Sequence, residues 1–260
     1  MQLPARQQIQ ARQQLSISMQ SMAPQKPEVN AEPRRVLDQM VKALGGDAWL
    51  KIKTVREEGH VASFHRGRPT GALTEYREYR QSGRVRSEFG RRHDVAQILA
   101  GRQGWEITYK GTKQLPAGQT QQLLRDRDHA IETVVRVWLA NPKTLLLDAG
   151  QHMVERRLAE EITVVSAENE LVTIFVDTET HLPLRRSYRW RDPIDKQQNL
   201  EVEEYDDYHV LSGIATAFLV SRFKNEELIR QRFVSRQFYN ESFAANLFDA
   251  EVVNRAVPRD

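Results

Sequence analysis

Residues 172–190 read VTIFVDTETHLPLRRSYRW: a strand, an acidic turn and a returning strand. Val172, Ile174 and Val176 alternate with Thr173, Phe175 and Asp177, the period of two that gives a strand two different faces. Asp177-Thr178-Glu179-Thr180 supplies side-chain oxygens that can bond nearby backbone N–H groups and bend the chain. Leu182, Leu184, Arg186, Tyr188 and Trp190 then recur on one side of the second strand. The hairpin is antiparallel, and Asp177 reads as a turn-former rather than as an acid.

The same pattern extends in both directions. Toward the N-terminus, strands are expected at 53–66, 72–80, 84–89, 94–99 and 104–109, separated by Gly67-Arg68-Pro69, Ser82-Gly83, Gly90 and Gly101 to Gly104. Around and beyond the hairpin they are expected at 151–158, 161–167, 171–177, 182–191, 199–208, 214–223 and 228–239. Four segments break the pattern. Val36, Leu37, Met40, Val41 and Leu44 form an apolar stripe of helical spacing over 34–44, stopped by Gly45-Gly46. Asp47 can cap a short second turn that points Trp49 and Leu50 inward. A helix over 120–140 places Leu124, Ile131, Val134, Val135 and Trp138 on one face and Arg125 to Asp128 with Glu132 on the other, with His129 beside Asp128 on the polar side. Asn141-Pro142 ends it, and a further helical turn is expected at 143–148.

About 11–12 strands with internal helices and no βαβ alternation define an α+β, mainly antiparallel β fold. The expected shape is one large curved sheet, an unclosed half-barrel wrapped over internal helices, apolar on its inner face and charged on its outer face. Residues 1–33 are rich in Gln and carry Pro4, Pro24, Pro27 and Pro33; they read as a disordered or loosely helical tail, or as a partner-binding arm. The half-barrel domain is assigned to 34–250 and a C-terminal tail to 251–260.

Composition narrows the function classes. The 260 residues hold 38 Lys+Arg and 35 Asp+Glu, a formal net charge of +3. The basic residues are dispersed beside acidic ones, which describes a solvated mixed-charge surface and not a nucleic-acid footprint. With no cysteine, disulfides, Cys-ligated zinc and thiol nucleophiles are excluded. No run of about 18 apolar residues is present, so no transmembrane helix is expected. The first 22 residues show no apolar h-region, compatible with numbering that starts after a removed leader or from a start codon placed downstream.

Several pieces occur in a telling order. They are ALGG at 43–46 followed by Asp47-Ala48-Trp49-Leu50, TVREEGHV from Thr54, GWEI at 104–107, the hairpin VTIFVDTETHLPLRR, EEYDDYHVLSGIATAFLV at 203–220, and NESFAANLF at 240–248. Over residues 34–250 this arrangement resembles the bacterial outer-membrane lipoprotein-sorting proteins and their lipoprotein-carrier-like relatives, the LolA/LolB-like superfamily. The resemblance implies an unclosed barrel over helices with a hydrophobic cavity for acyl chains, in a protein of the bacterial envelope, periplasmic in location. The chain departs from the carrier pattern in its length, its Gln-rich tail and the lack of a lipobox cysteine, and no functional residue is carried over.

No catalytic pattern competes with that reading. His60, His65, His93, His129, His152, His181 and His209 form neither HExxH nor an i, i+4 pair, so no metal site is expected. Glu57-Glu58, Glu160-Glu161, Glu201-Glu203-Glu204 and Asp206-Asp207 could build an acid/base pair. Cross-strand pairing with Arg156, Arg157, Arg185, Arg186 and Arg189 on the convex face accounts for them more simply. No GxSxG elbow, Walker loop or GxGxxG is present. The set with functional promise is apolar: Phe64, Phe89, Trp105, Ile107, Trp138, Ile174, Trp190, Phe218, Val220 and Phe233. An open half-barrel leaves part of such a face to take a helix or a ligand. The expectation is a non-enzymatic protein without a cofactor that binds a lipid, a lipoprotein acyl chain or another apolar ligand, with the 120–140 helix as plug or lid and Trp138 against the cavity. The alternative is an envelope interaction or stress-sensor protein with a filled half-barrel and a protein partner.

Overall fold

A computed structural model of the chain describes residues 31–250. The expected tails, up to residue 30 and from 251, lie outside the described residues. Fourteen strands form one antiparallel sheet in the order β7-β6-β5-β4-β3-β1-β14-β13-β12-β11-β10-β9-β8, with β2 pairing only β1. The first strand, β1 (Thr54–His65), therefore sits mid-sheet between β3 (Thr74–Gln81) and the last strand, β14 (Glu227–Tyr239). Five strands run outward from β1 on one side: β3, β4 (Arg84–Phe89), β5 (Val95–Ala100), β6 (Gln103–Thr108) and β7 (Gly111–Gln114). On the other side β14 is followed by β13 (Ile214–Lys224), β12 (Gln198–Leu211), β11 (Pro183–Arg191), β10 (Leu171–Asp177), β9 (Arg157–Val165) and β8 (Leu145–Val154). The two edges, β7 and β8, do not pair, so the curved sheet is an unclosed half-barrel.

The order explains where the helices lie. The chain must travel from one edge, β7, to the opposite edge, β8, and residues 115–144 make that crossing. They form α3 (Ala117–Asp128), then α4 (Ile131–Thr133), which continues as a π-helical turn over Val134–Trp138. The single helix expected at 120–140 is thus broken at His129-Ala130, where Ala130 takes an extended backbone. Helix α1 (Ala31–Leu44) starts three residues before the expected 34 and packs on β8, β10 and β13. Its buried Val36, Leu37, Met40 and Leu44 follow the expected stripe. Pro33 falls in the first turn, where a missing N–H costs nothing, and Gly45 closes the last turn with φ +127°. The short α2 (Asp47–Leu50) buries Trp49, but Leu50 is 41% exposed and does not point inward.

The main core lies inside the half-barrel. Helices α1 and α4 meet Leu146, Ile162, Val164, Val172, Ile174, Val176 and Tyr188 there. A second core lies on the convex face of the β3–β7 half. Ala96, Ile98 and Ile107 are covered by Phe248 and Ala250, with Trp105, Tyr79, Phe243 and Leu247 packed around them. The C-terminal segment after β14 thus returns across the outside of the sheet, and the outer face is not uniformly charged.

In the hairpin, Asp177 Oδ1 accepts from the backbone N–H of Glu179 (2.9 Å) and Thr180 (2.6 Å), and Oδ2 lies 2.7 Å from Arg157 Nε. A register shift between Phe175 and Val176 changes the phase of β11. Leu184 consequently packs with Val154, Ala159 and Phe175 in a small cluster of its own, apart from the core that holds Tyr188 and Trp190. The helical turn expected at 143–148 is strand β8 instead. Leu145 and Leu147 are exposed and Leu146 is buried, the alternation of an edge strand. Its turn falls at Glu155-Arg156, both with positive φ, rather than after 158.

Candidate functional site

A cavity of about 800 Å³ opens between the concave face of the sheet and the crossing helices. Its walls come from alternate residues of the strands, as the pleat dictates. Val61 from β1, Tyr76 from β3, Val85 and Phe89 from β4 and Leu99 from β5 make an apolar wall. The crossing segment adds Leu123, Ala130 and Val137, and the α2 end adds Trp49 and Ile52. The adjoining part of the wall is charged: Arg186 from β11, Glu203 and Tyr205 from β12, Arg222 from β13, and Arg230 and Arg232 from β14, with Glu78 and Arg80 on the same face of β3 as Tyr76.

These charges form three cross-strand groups side by side on the wall. Arg186, only 4% exposed, donates to Glu203 Oε2 (2.9 Å), to Tyr205 Oη (3.0 Å) and to the carbonyl of His129 (3.0 Å). Tyr205 in turn donates to Glu203 Oε2 at 2.9 Å. Arg222 bridges Glu201 Oε2 (3.1 Å) and Asp126 of α3, whose Oδ2 accepts from Nη1 at 2.5 Å. Glu57 on β1 accepts from Tyr76 Oη (2.6 Å), Arg232 Nη1 (3.1 Å) and Arg80 Nη2 (3.2 Å). The expected pairing on the convex face does occur, as Arg185 with Glu204. Its larger part lies inside, because Arg186, Glu203, Arg222 and Arg232 occupy the inward phase of their strands. This corrects the expectation of a wholly apolar inner face.

Burial pushes the Glu203 carboxyl up, but Arg186, Arg232 and Arg222 outweigh it and hold it far below the usual carboxylate range. Burial likewise raises Glu57, and Arg232 and Arg80 bring it down past its ordinary value. Asp126 follows the same course, with Arg222 as the dominant cation. A general acid needs the reverse shift, so these carboxylates serve as fixed anions. Groups whose pKa is depressed on folding add stability that is complete above the unfolded value and fades as pH falls toward the folded one. The thermal midpoint is therefore expected to stay level from about pH 8 to 5 and to drop steeply below about pH 4, scanned by circular dichroism. A drop already complete at pH 5 would contradict these groups.

The structure scatters the sequence-predicted residues. Phe89 lines the cavity. Val220 is buried, paired in register with the cavity residues Tyr205 and Arg232. Ile174 lies at the centre of the main core. Trp138 and Trp190 pack against that core; the Arg125 guanidinium sits 3.8 Å over the Trp190 ring. Val137 and Arg136, and not Trp138, face the cavity from the π turn. Trp105 and Ile107 belong to the convex core. Phe64 pairs with Pro69 in the β1–β2 hairpin, Phe218 packs on His209 (4.5 Å between ring centroids), and Phe233 is 39% exposed. His129, read as polar-side, is buried and stacked on Tyr188 at 4.2 Å, with Nδ1 2.9 Å from the Arg125 carbonyl oxygen. Among the described residues no cluster of His, Asp or Glu has the arrangement of a metal site.

Sequence reasoning missed the arginines. The signal was present in β11, where Arg186 falls in phase with Tyr188 and Trp190, and in β14, where Arg230 and Arg232 are two residues apart.

The half-barrel with a crossing helical segment over its concave side is a LolA-like fold. Three solved structures share it: a DUF1329 family protein from Desulfovibrio piger (TM-score 0.59, 12% identity, covering 84% of this chain and 98% of that one); a protein described as an outer membrane lipoprotein-sorting protein domain from Vibrio parahaemolyticus (0.56, 11%, 87% and 100%); and a LolA superfamily protein from Nitrosomonas europaea (0.51, 9%, 85% and 98%). No family model and no curated protein matches the sequence. At these identities the likeness is one of fold. Among the described residues no helix is long and apolar enough to cross a membrane.

Proposed function

We propose that the protein is a non-enzymatic binding protein of the bacterial cell envelope, acting in the periplasm, that holds a lipid or a lipoprotein acyl chain in its half-barrel. The observation that carries this reading is the cavity: about 800 Å³, open, with Val61 and Phe89, and Val85 and Leu99, as apolar patches on its wall. That volume is within the range of small-molecule sites, roughly 300–1,000 Å³. Each buried methylene contributes about 0.8 kcal/mol, so even a chain of moderate length gains enough to offset its ordering. The lipoprotein-sorting description of the Vibrio domain supports the same class of ligand. The π turn at Val134–Trp138 also supports the reading, since such turns concentrate at functional sites and this one turns Arg136 and Val137 to the cavity. A filled half-barrel acting through a protein partner has the empty cavity volume against it.

Native mass spectrometry of the full chain, purified from bacteria without detergent, tests the reading. Adducts of lipid mass are expected. Val137 is 61% exposed and lines the cavity, so Val137→Trp fits without disturbing the core and is expected to weaken binding of a fluorescent acyl probe about tenfold, roughly 1.4 kcal/mol. Absence of lipid adducts together with no probe binding would sink the proposal.

A further inference from the structure

Most guanidiniums of the cavity wall have partners. Arg80, Arg127, Arg186, Arg222 and Arg232 are ion-paired. Arg84 donates to Gln81 Oε1 (3.2 Å) and lies over the Phe248 ring, and Arg136 donates to the carbonyls of Ile52 (3.0 Å) and Trp49. Arg230 lines the same wall, yet among the described residues its side chain has no ion pair and no hydrogen bond.

Arg230 is half-buried, and its neighbours across and along the strands are cations. Arg230 on β14 lies directly opposite Arg222 on β13, and Arg232 is two residues along on the same face. Like charges directly opposite on a sheet repel. The charge of Arg222 is met by Asp126 and Glu201, and that of Arg232 by Glu57 and Glu78. Arg230 has no such match. Burial, then Arg222 and Arg232, weaken its hold on its proton, and the attraction of Asp126 and Glu203 does not restore it. Facing Arg222 with neither a carboxylate nor a carbonyl of its own, the Arg230 guanidinium offers a place to an anion from outside. The apolar wall adjoins it, since Val61 is the register partner of Arg232 across β1 and β14.

We propose that the cavity takes an anionic amphiphile: a molecule with an acyl chain and one carboxylate or phosphate group, the anion held by Arg230 beside Arg222 and Arg232. This rests on the acyl-chain reading of the cavity. The guanidinium fork matches both anions bidentately, while the chain lies along Val61, Val85, Phe89 and Leu99.

Calorimetric titration of the full chain below micellar concentrations, with dodecanoate, dodecyl phosphate, neutral monolaurin and inorganic phosphate, separates the possibilities. The two anionic amphiphiles are expected to bind about tenfold more tightly than monolaurin, and inorganic phosphate alone far more weakly than either. Arg230→Gln is expected to erase the anion preference, so that dodecanoate and dodecyl phosphate bind it no more tightly than monolaurin does. It is also expected to raise the thermal midpoint of the empty protein, since it removes a repulsion and no partner, and Arg230→Lys is expected to keep part of the preference. Equal binding of monolaurin and dodecanoate overturns the anion site and leaves the acyl-chain reading standing. Failure of all three amphiphiles to bind overturns that reading and this one with it. Inorganic phosphate binding as tightly as dodecyl phosphate, or a preference that survives Arg230→Gln, also overturns the proposal.

Discussion

Glu203→Ala is expected to destabilise the protein by about 3–5 kcal/mol, the cost of leaving one partner of a buried ion pair uncompensated. Glu203 is the carboxylate that Arg186 meets at 2.9 Å, and Arg186 is almost fully out of water. Removing the carboxylate leaves that guanidinium with a phenol oxygen and one carbonyl. It also takes from Tyr205 the acceptor of its hydroxyl. The loss should not be additive. With Arg186→Met in the same chain the stranded charge disappears, and the double variant is expected to recover most of the stability, as apolar replacements of whole buried pairs do. Urea midpoints of the four proteins at pH 7 give the coupling directly. A single variant that loses less than about 1 kcal/mol would mean that water reaches Arg186 and screens it as at a surface, and the charged wall would then lie open to solvent.

Most of the fold was legible because its strands alternate. Strand β4 falls at 84–89 as expected, and β1 and β3–β6, like β10–β14, lie within a few residues of theirs. The errors have local causes. Leu145 to Leu147 follow Asn141-Pro142 and read as another helical turn, but residues at a sheet edge need only one buried leucine in three, and Leu146 supplies it. The crossing segment kept a helical stripe through Ile131 and Val134, yet it breaks at His129-Ala130, where Ala130 is extended and the His129 carbonyl accepts from Arg186 on the sheet side.

The site was less legible than the fold, for a physical reason. Charged residues were assigned to the outer face because burying a lone charge is costly. That penalty is met when the opposite charge sits directly across on the next strand. Arg186 with Glu203, and Glu203 with Arg222, are register partners. No single strand reveals such pairing; it appears only once β11, β12 and β13 are aligned. The large aromatic residues misled in the opposite way. Trp105 and Ile107 alternate correctly, but their phase faces the convex side, where the returning C-terminal segment covers them. Nothing in β6 itself announces that a segment 140 residues away will supply the cover.

Gly59→Ala is expected to cost more than about 4 kcal/mol or to prevent folding altogether, an effect beyond ordinary single substitutions. A Cβ at Gly59 would stand 2.1 Å from the carbonyl oxygen of Phe233 and 3.0 Å from the Val234 Cα. Both are backbone atoms of β14, so no side chain can turn aside. The close approach arises where the register slips: Glu58 pairs with Arg236, but Gly59 pairs with Val234. The extra residue, Ser235, is a bulge on β14, and bulges bend the strand that carries them. β1 and β14 are also the seam at which the β3–β7 half of the sheet joins the β13–β8 half. Relieving the clash must shift one strand against the other, and the contacts between Glu57 on one and Arg232 on the other would move with it. Gly71→Ala is the control: no atom lies within 4 Å of its would-be Cβ, and a change within about 0.5 kcal/mol is expected. If Gly59→Ala unfolded at the wild-type urea concentration, the two strands could not be as close as this register requires. The placement of Arg230 and Arg232 on the cavity wall, which depends on that register, would fall with it.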